Sequence, residues 1–162
     1  MSEKKKMTLF LIFAVVLLGL AAVAVYFFIF GRPNPPLAAG EVRIGSADFK
    51  VELATSTIAQ ARGLSFRASL PPDQGMLFIF SRPAVQNFWM KDMNFPLDMI
   101  WIGGGKVVGF VQDAPAAPGV PLWKLSIYSS PDGTDQVLEV DAGTVAKYGI
   151  TVGEPVEIAE AN

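Results

Sequence analysis

The 162-residue chain contains no cysteine and no histidine. Without cysteine there is no disulfide, no thiolate nucleophile, no thiolate metal site and no lipid-bearing N-terminal cysteine. Without histidine, the commonest general base and the commonest metal ligand are both missing. Any hydrolytic chemistry must therefore come from carboxylates, hydroxyls or lysine. Charge is also sparse, at 17% of residues. Residues 41–162 carry nine Lys/Arg against fourteen Asp/Glu, a net charge of −5. That balance offers no basic face for nucleic acid and no reason to lie on anionic lipid.

From Met7 to Phe30 charge is absent altogether, over 24 residues. At about 1.5 Å per residue such a helix is about 36 Å long, enough for a hydrocarbon core of about 30 Å. Lys4, Lys5 and Lys6 precede the run and only Arg32 follows closely, which places the N-terminus in the cytoplasm and the remainder outside. A cleaved signal peptide is the competing reading, but its apolar region usually spans about 7–15 residues. Leu37-Ala38-Ala39 is also a weak cleavage site. The expected organisation is a basic cytoplasmic N-terminus (1–6), a single-pass transmembrane signal anchor (7–30), a linker (31–40) and a periplasmic or extracellular domain (41–162). The bilayer is the expected partner of residues 7–30. Pro33, Pro35 and Pro36 make the linker a short, semi-stiff spacer.

Within the domain, short apolar runs alternate with turn signals. Phe49, Val51 and Leu53 alternate with Lys50 and Glu52, as in a half-buried strand. Ser56 and Thr57 offer an N-cap and Gly63 a stop for a short helix. MLFIF (76–80) is apolar on both faces, as in a central strand. Asn87–Met93 and Asp98–Ile102 read as a hairpin around Asn94-Phe95-Pro96-Leu97. Gly103-Gly104-Gly105 turns the chain into Lys106–Gln112, completing a meander. Trp123–Tyr128 reads as an edge strand, QVLEVD (136–141) as a strand, Gly143–Tyr148 as a helical turn or two, and Val156–Ile158 as a last strand. About nine short strands without long domain helices predict an all-β fold, either a jelly-roll-like sandwich or a partly closed barrel.

ARGLSFR (61–67), GMLFIF (75–80), FWMKDMNFPLDMIWI (88–102), QVLEVDAG (136–143) and GITVGEPV (149–156) occur in this order. In these motifs the chain resembles the DUF192, or UPF0127, family of small prokaryotic domains, over about residues 48–158. The resemblance implies a β-sandwich of jelly-roll type and a preceding signal or membrane segment. It brings no catalytic residue with it. Two positions differ from the family pattern. Ser65 stands where Met is usual, and Met90-Lys91-Asp92-Met93 stands where MKNT is usual.

Charges embedded in the apolar stretch 75–102 mark the candidate site. With residues 94–97 as the loop, Lys91, Met93, Asp98 and Ile100 share a face, and Lys91 and Asp98 are diagonal neighbours. A one-residue slip would separate them. A carboxylate facing an apolar layer must be paired, hydrogen-bonded or protonated; Lys91, Arg62 and Arg67 are the candidate partners of Asp98. Asp98 is then either a satisfied structural carboxylate or half of a ligand-reading charge pair in a cleft walled by Trp89 and Trp101. Glu139 reads as solvated or Arg-paired, with a glycosidase-like pairing to Asp98 as the remote alternative. Met76, Met90, Met93 and Met99 could bind Cu(I), but core packing is the simpler account. No metal or cofactor is expected. The sequence thus points to a binding module for a small polar ligand, such as a sugar, or for an envelope partner. A carboxylate-dependent hydrolase and a structural envelope component are the alternatives.

Overall fold

The structure, a computed structural model, describes residues 2–160. The chain divides into two compact units, Met1–Arg32 and Pro33–Asn162. The first is one helix, α1 (Glu3–Phe30), capped by the Ser2 side chain, which accepts from the Lys5 N–H. Glu3 and Lys6 form an ion pair on its first turn. From residue 7 to residue 28 it is apolar on every face, the pattern of a helix surrounded by apolar material. By length and composition it is able to cross a membrane.

The second unit is built from β1 (Ala39–Ile44), β2 (Ala47–Ala54), α2 (Thr57–Arg62), β3 (Gln74–Ala84), β4 (Asn87–Phe88), β5 (Leu97–Gly103), β6 (Lys106–Ala114), β7 (Tyr128–Ser129), β8 (Thr134–Asp141), α3 (Thr144–Tyr148) and β9 (Val156–Glu160). Seven strands form one sheet in the order β6-β5-β8-β3-β2-β1-β9, and β4 pairs with β7 apart from it. Every neighbour pair in the large sheet is antiparallel except β2 with β3, which is parallel. The sheet curls until its two ends touch. The Val107 N–H donates to the Glu154 carbonyl (2.9 Å), Gly153 to Val107 (2.8 Å) and Val156 to Gly105 (2.9 Å). The all-β expectation holds, in its partly closed barrel form.

Strand alternation gives the sheet two apolar faces. The inner face buries Phe49, Leu77, Ile100, Ile102, Leu138 and Val140. The outer face carries Met76, Phe78, Val137, Met99 and Trp101, and is covered by Leu64, Phe88, Met90, Met93 and Phe95 from flanking loops. This double burial explains why β5 is buried from Leu97 to Ile102 without a break, as expected of a central strand. At Gly75 a Cβ would lie 2.6 Å from the Glu139 carbonyl oxygen, so β3 and β8 approach more closely than any side chain there would allow.

Asp98 is fully buried on the inner face. Its Oδ1 accepts from the Asp113 N–H (2.9 Å) and its Oδ2 from the Val145 N–H (2.8 Å). Gly143, the N-cap of α3, has no side chain to cap that helix. Asp98 supplies the missing acceptor from the neighbouring strand.

Two expectations fail here. Asn87–Met93 does not form a hairpin with β5, because both edges of β5 are already occupied, by β6 and β8. Only Asn87 and Phe88 are extended, paired with Ser129 and Tyr128. Trp123–Tyr128 is not an edge strand either. Leu122–Lys124 is a single 3-10 turn, and only Tyr128 of that run enters a strand.

Candidate functional site

Glu139 sits in the middle of β8, on the outer face of the sheet. Its register partners are Met76 on β3 and Met99 on β5, so a thioether side chain stands on either side of the carboxyl. The residue is 4% exposed. Among the described residues none hydrogen-bonds or ion-pairs with its carboxyl group. Desolvation raises the cost of ionising it and pushes its pKa up to about 8. The expectation of a solvated or Arg-paired Glu139 is therefore overturned.

Above Glu139 lies a cavity of about 230 Å³, between α2 with its following turn and residues 86–89. Phe78 and Phe80 of β3 and Phe88 and Trp89 of the covering loop supply aromatic lining, with Glu139 among the lining residues. Phe88 meets Phe78 edge-on at 5.0 Å and Phe80 at 6.3 Å, so the rings hold one another in place.

Local sequence explains how the roof is held. The Ser56 hydroxyl caps α2 by accepting from the Ala59 N–H (3.2 Å). Gly63, with φ +51, ends the helix. The Gln60 Nε2 donates to the Ala54 (3.2 Å) and Ile79 (2.7 Å) carbonyls, pinning α2 to the sheet. The Asn34 Nδ2 donates to the Ala59 and Gly63 carbonyls, both at 3.0 Å. The loop after α2 is tied to the loop before β5. The Ser65 hydroxyl donates to the Lys91 carbonyl (2.7 Å), the Phe66 N–H to Asp92 (2.9 Å) and the Asn94 Nδ2 to Arg67 (2.8 Å). Asp92 adopts a left-handed φ of 54°, a conformation that Asp and Asn tolerate better than other residues with a Cβ.

The structure brings three of the seven expected site residues, Arg62, Trp89 and Glu139, to this one cavity. The other four do not line it. Lys91 is paired with its neighbour Asp92 rather than with Asp98. Arg67 forks onto Glu52 with contacts of 2.5 and 2.8 Å. Trp101 is buried beneath Phe88, ring centres 5.5 Å apart, and walls no cleft. Asp98 faces the barrel interior, opposite to Glu139, so the two carboxylates cannot act on one substrate. The four methionines are buried in one apolar cluster, Met76 and Met99 on the sheet and Met90 and Met93 in the loop that covers it. Sequence reasoning passed over Phe78, Phe80 and Phe88. For Phe78 and Phe80 the signal was the i, i+2, i+4 spacing with Met76, which puts those three on one strand face.

The fold is shared with solved proteins. One, from Sinorhizobium meliloti and described as a candidate transcription regulator, is 32% identical, with a TM-score of 0.67, covering 76% of this chain and 97% of its own. Another, a protein of unknown function from Novosphingobium aromaticivorans, is 30% identical, with a TM-score of 0.69, covering 78% and 91%. No curated protein matches. The DUF192 family model, described as an uncharacterized ACR, matches residues 40–158, and the chain belongs to that family.

Proposed function

We propose that this chain is a membrane-anchored, extracytoplasmic binding module whose small polar ligand enters the cavity over Glu139. The observation that carries the reading is a buried, unpartnered carboxyl lining an aromatic cavity. A carboxyl in such a place costs stability unless something engages it, and a purely structural protein gains nothing from keeping it. Nucleic acid does not suit a domain of net charge −5, so the description of the Sinorhizobium relative is not transferred.

The binding test uses the full chain in detergent micelles, screened by thermal shift against amines, sugars, cell-wall fragments and nucleotides. A ligand at 100 times its Kd adds about 2.7 kcal/mol to the native state. Its shift should vanish in Glu139→Gln. A flat screen on folded protein would reject the reading.

Anchoring is supported by the charge-free run 7–30 of α1, with lysines at its N-terminal end only. Because the chain lacks cysteine, single substitutions report topology cleanly. Ser2→Cys should resist a membrane-impermeant thiol reagent in intact cells, and Ser46→Cys should react. The reverse pattern, or release of the domain from the membrane, would refute the arrangement.

A further inference from the structure

The geometry points to a small organic cation, an alkylammonium group, as the ligand of the cavity, seated against the Phe78, Phe80, Phe88 and Trp89 rings with Glu139 as its counter-ion. This rests on the binding reading above and narrows it to one chemical class.

A single buried carboxyl beside four aromatic rings favours a cation. Some of the other polar atoms in the cavity are already used within the protein. Both Gln60 amide protons serve the Ala54 and Ile79 carbonyls. The Gln86 Nε2 donates to the Thr134 carbonyl and the Ser65 hydroxyl to the Lys91 carbonyl. The Asn87 carbonyl oxygen accepts from the Ser129 hydroxyl. The Gln60 and Gln86 side-chain carbonyls, the Asn87 amide and the Thr57 hydroxyl also line the cavity, but Glu139 is the one carboxyl among its lining residues, and it is buried. Ring faces attract cations. The cavity, about 230 Å³, is smaller than the roughly 300–1,000 Å³ that drug-sized ligands occupy, so it suits a single head group.

The charges around Glu139 fit this assignment. β3 and β5 bring only Met76, Phe78, Met99 and Trp101 to its surroundings, and Asp141, two residues along β8, is exposed. In the roof, Arg67 is spent on Glu52 and Lys91 on Asp92. Arg62 also lines the cavity. None of these hydrogen bonds and ion pairs among the described residues reaches the Glu139 carboxyl, and a bound cation would supply a partner.

Binding below about pH 8 transfers the Glu139 proton to solvent, leaving carboxylate against ammonium. Affinity should then rise roughly tenfold per pH unit up to that point and level off above it.

The test is calorimetric titration of the full chain in phosphatidylglycerol nanodiscs, which carry no lipid amine. The probes are choline, ethylammonium and the uncharged carbon isostere of choline. A cation preference of at least tenfold, lost in Glu139→Gln and weakened in Trp89→Ala, is expected, with proton release at pH 6–7. Equal binding of the isostere, or a preference that survives in Glu139→Gln, overturns the cation assignment while leaving a binding module. Affinity that falls as pH rises assigns Glu139 as a neutral donor and overturns it too. No response to either the cations or the isostere, with hits elsewhere in the broader screen, rejects the class alone; a blank in both rejects the binding reading. Repeating the titration in phosphatidylcholine nanodiscs separates sources. Competition by the bilayer identifies a lipid-borne head group, and unchanged affinity identifies a free amine.

Discussion

Asp98 and Glu139 lie on adjacent strands, one residue out of register, and face opposite sides of the sheet: Asp98 pairs with Val140, and Met99 with Glu139. The offset separates two kinds of buried carboxyl. Asp98 is satisfied by two backbone amides. Glu139 has methionines beside it and a cavity in front.

Glu139 should impose a pH dependence on stability. Its folded pKa is raised to about 8 from the ordinary glutamate value of 4.5, so between those values the native state holds a proton that the unfolded chain has released. Stability is then greatest below about pH 4.5 and falls as pH rises through 8, by a few kcal/mol in total. Urea unfolding at pH 5, 7 and 9 should show this decline in the native sequence and a flatter profile in Glu139→Gln. Equal slopes in the two proteins would contradict the assignment.

Asp98→Ala should leave the Asp113 and Val145 amides without acceptors, at roughly 1–3 kcal/mol each. Ligand response at the cavity should persist, because Asp98 faces away from it. Denaturant unfolding gives the first quantity and thermal shift the second. Loss of binding at unchanged stability would mean that Asp98 reads the ligand after all.

Two glycines should behave differently. A Cβ at Gly75 meets the Glu139 carbonyl at 2.6 Å, and backbone cannot yield cheaply, so Gly75→Ala should cost about 3 kcal/mol or more. Gly104 has a φ of +57 in open space, and Gly104→Ala should cost only about 1 kcal/mol. Melting curves of the two variants side by side check the ranking.

Arg67 and Glu52 are partly sheltered, with side-chain exposures of 20% and 33%. A double-mutant cycle over Arg67→Ala and Glu52→Ala should give a coupling near 1 kcal/mol, above the usual exposed pair because the contact is forked. Arg67→Lys should lose most of that coupling. A coupling that disappears in 0.5 M salt would show that the fork is not held by the fold.

Much of this architecture was legible in the sequence. Alternation in DFKVELA, the apolar MLFIF and the glycine turn before Lys106 located β2, β3 and the β5–β6 hairpin. Phe88, Met90, Met93 and Phe95 misled, because a loop that covers a sheet buries apolar residues as well as a strand does. Periodicity does not reveal which edges are taken, and β5 had none left. Glu139 was misjudged for a related reason. Its strand alternates, which suggests a wet face, but the roof that dries that face comes from chain distant in sequence.

The parallel step from β2 to β3 has a wider consequence. Antiparallel neighbours can be joined by a two-residue turn, but parallel ones need a long return path. Residues 55–73 are that path, and they cross the outer face of the sheet on the way back. With a tight turn there instead, Met76, Phe78 and Glu139 would lose much of their cover. A single choice of strand direction therefore gives this sheet a second interior. It also divides the labour of change: substitutions in residues 55–73 and 86–96 can alter what the cavity accepts while the barrel beneath is inherited intact.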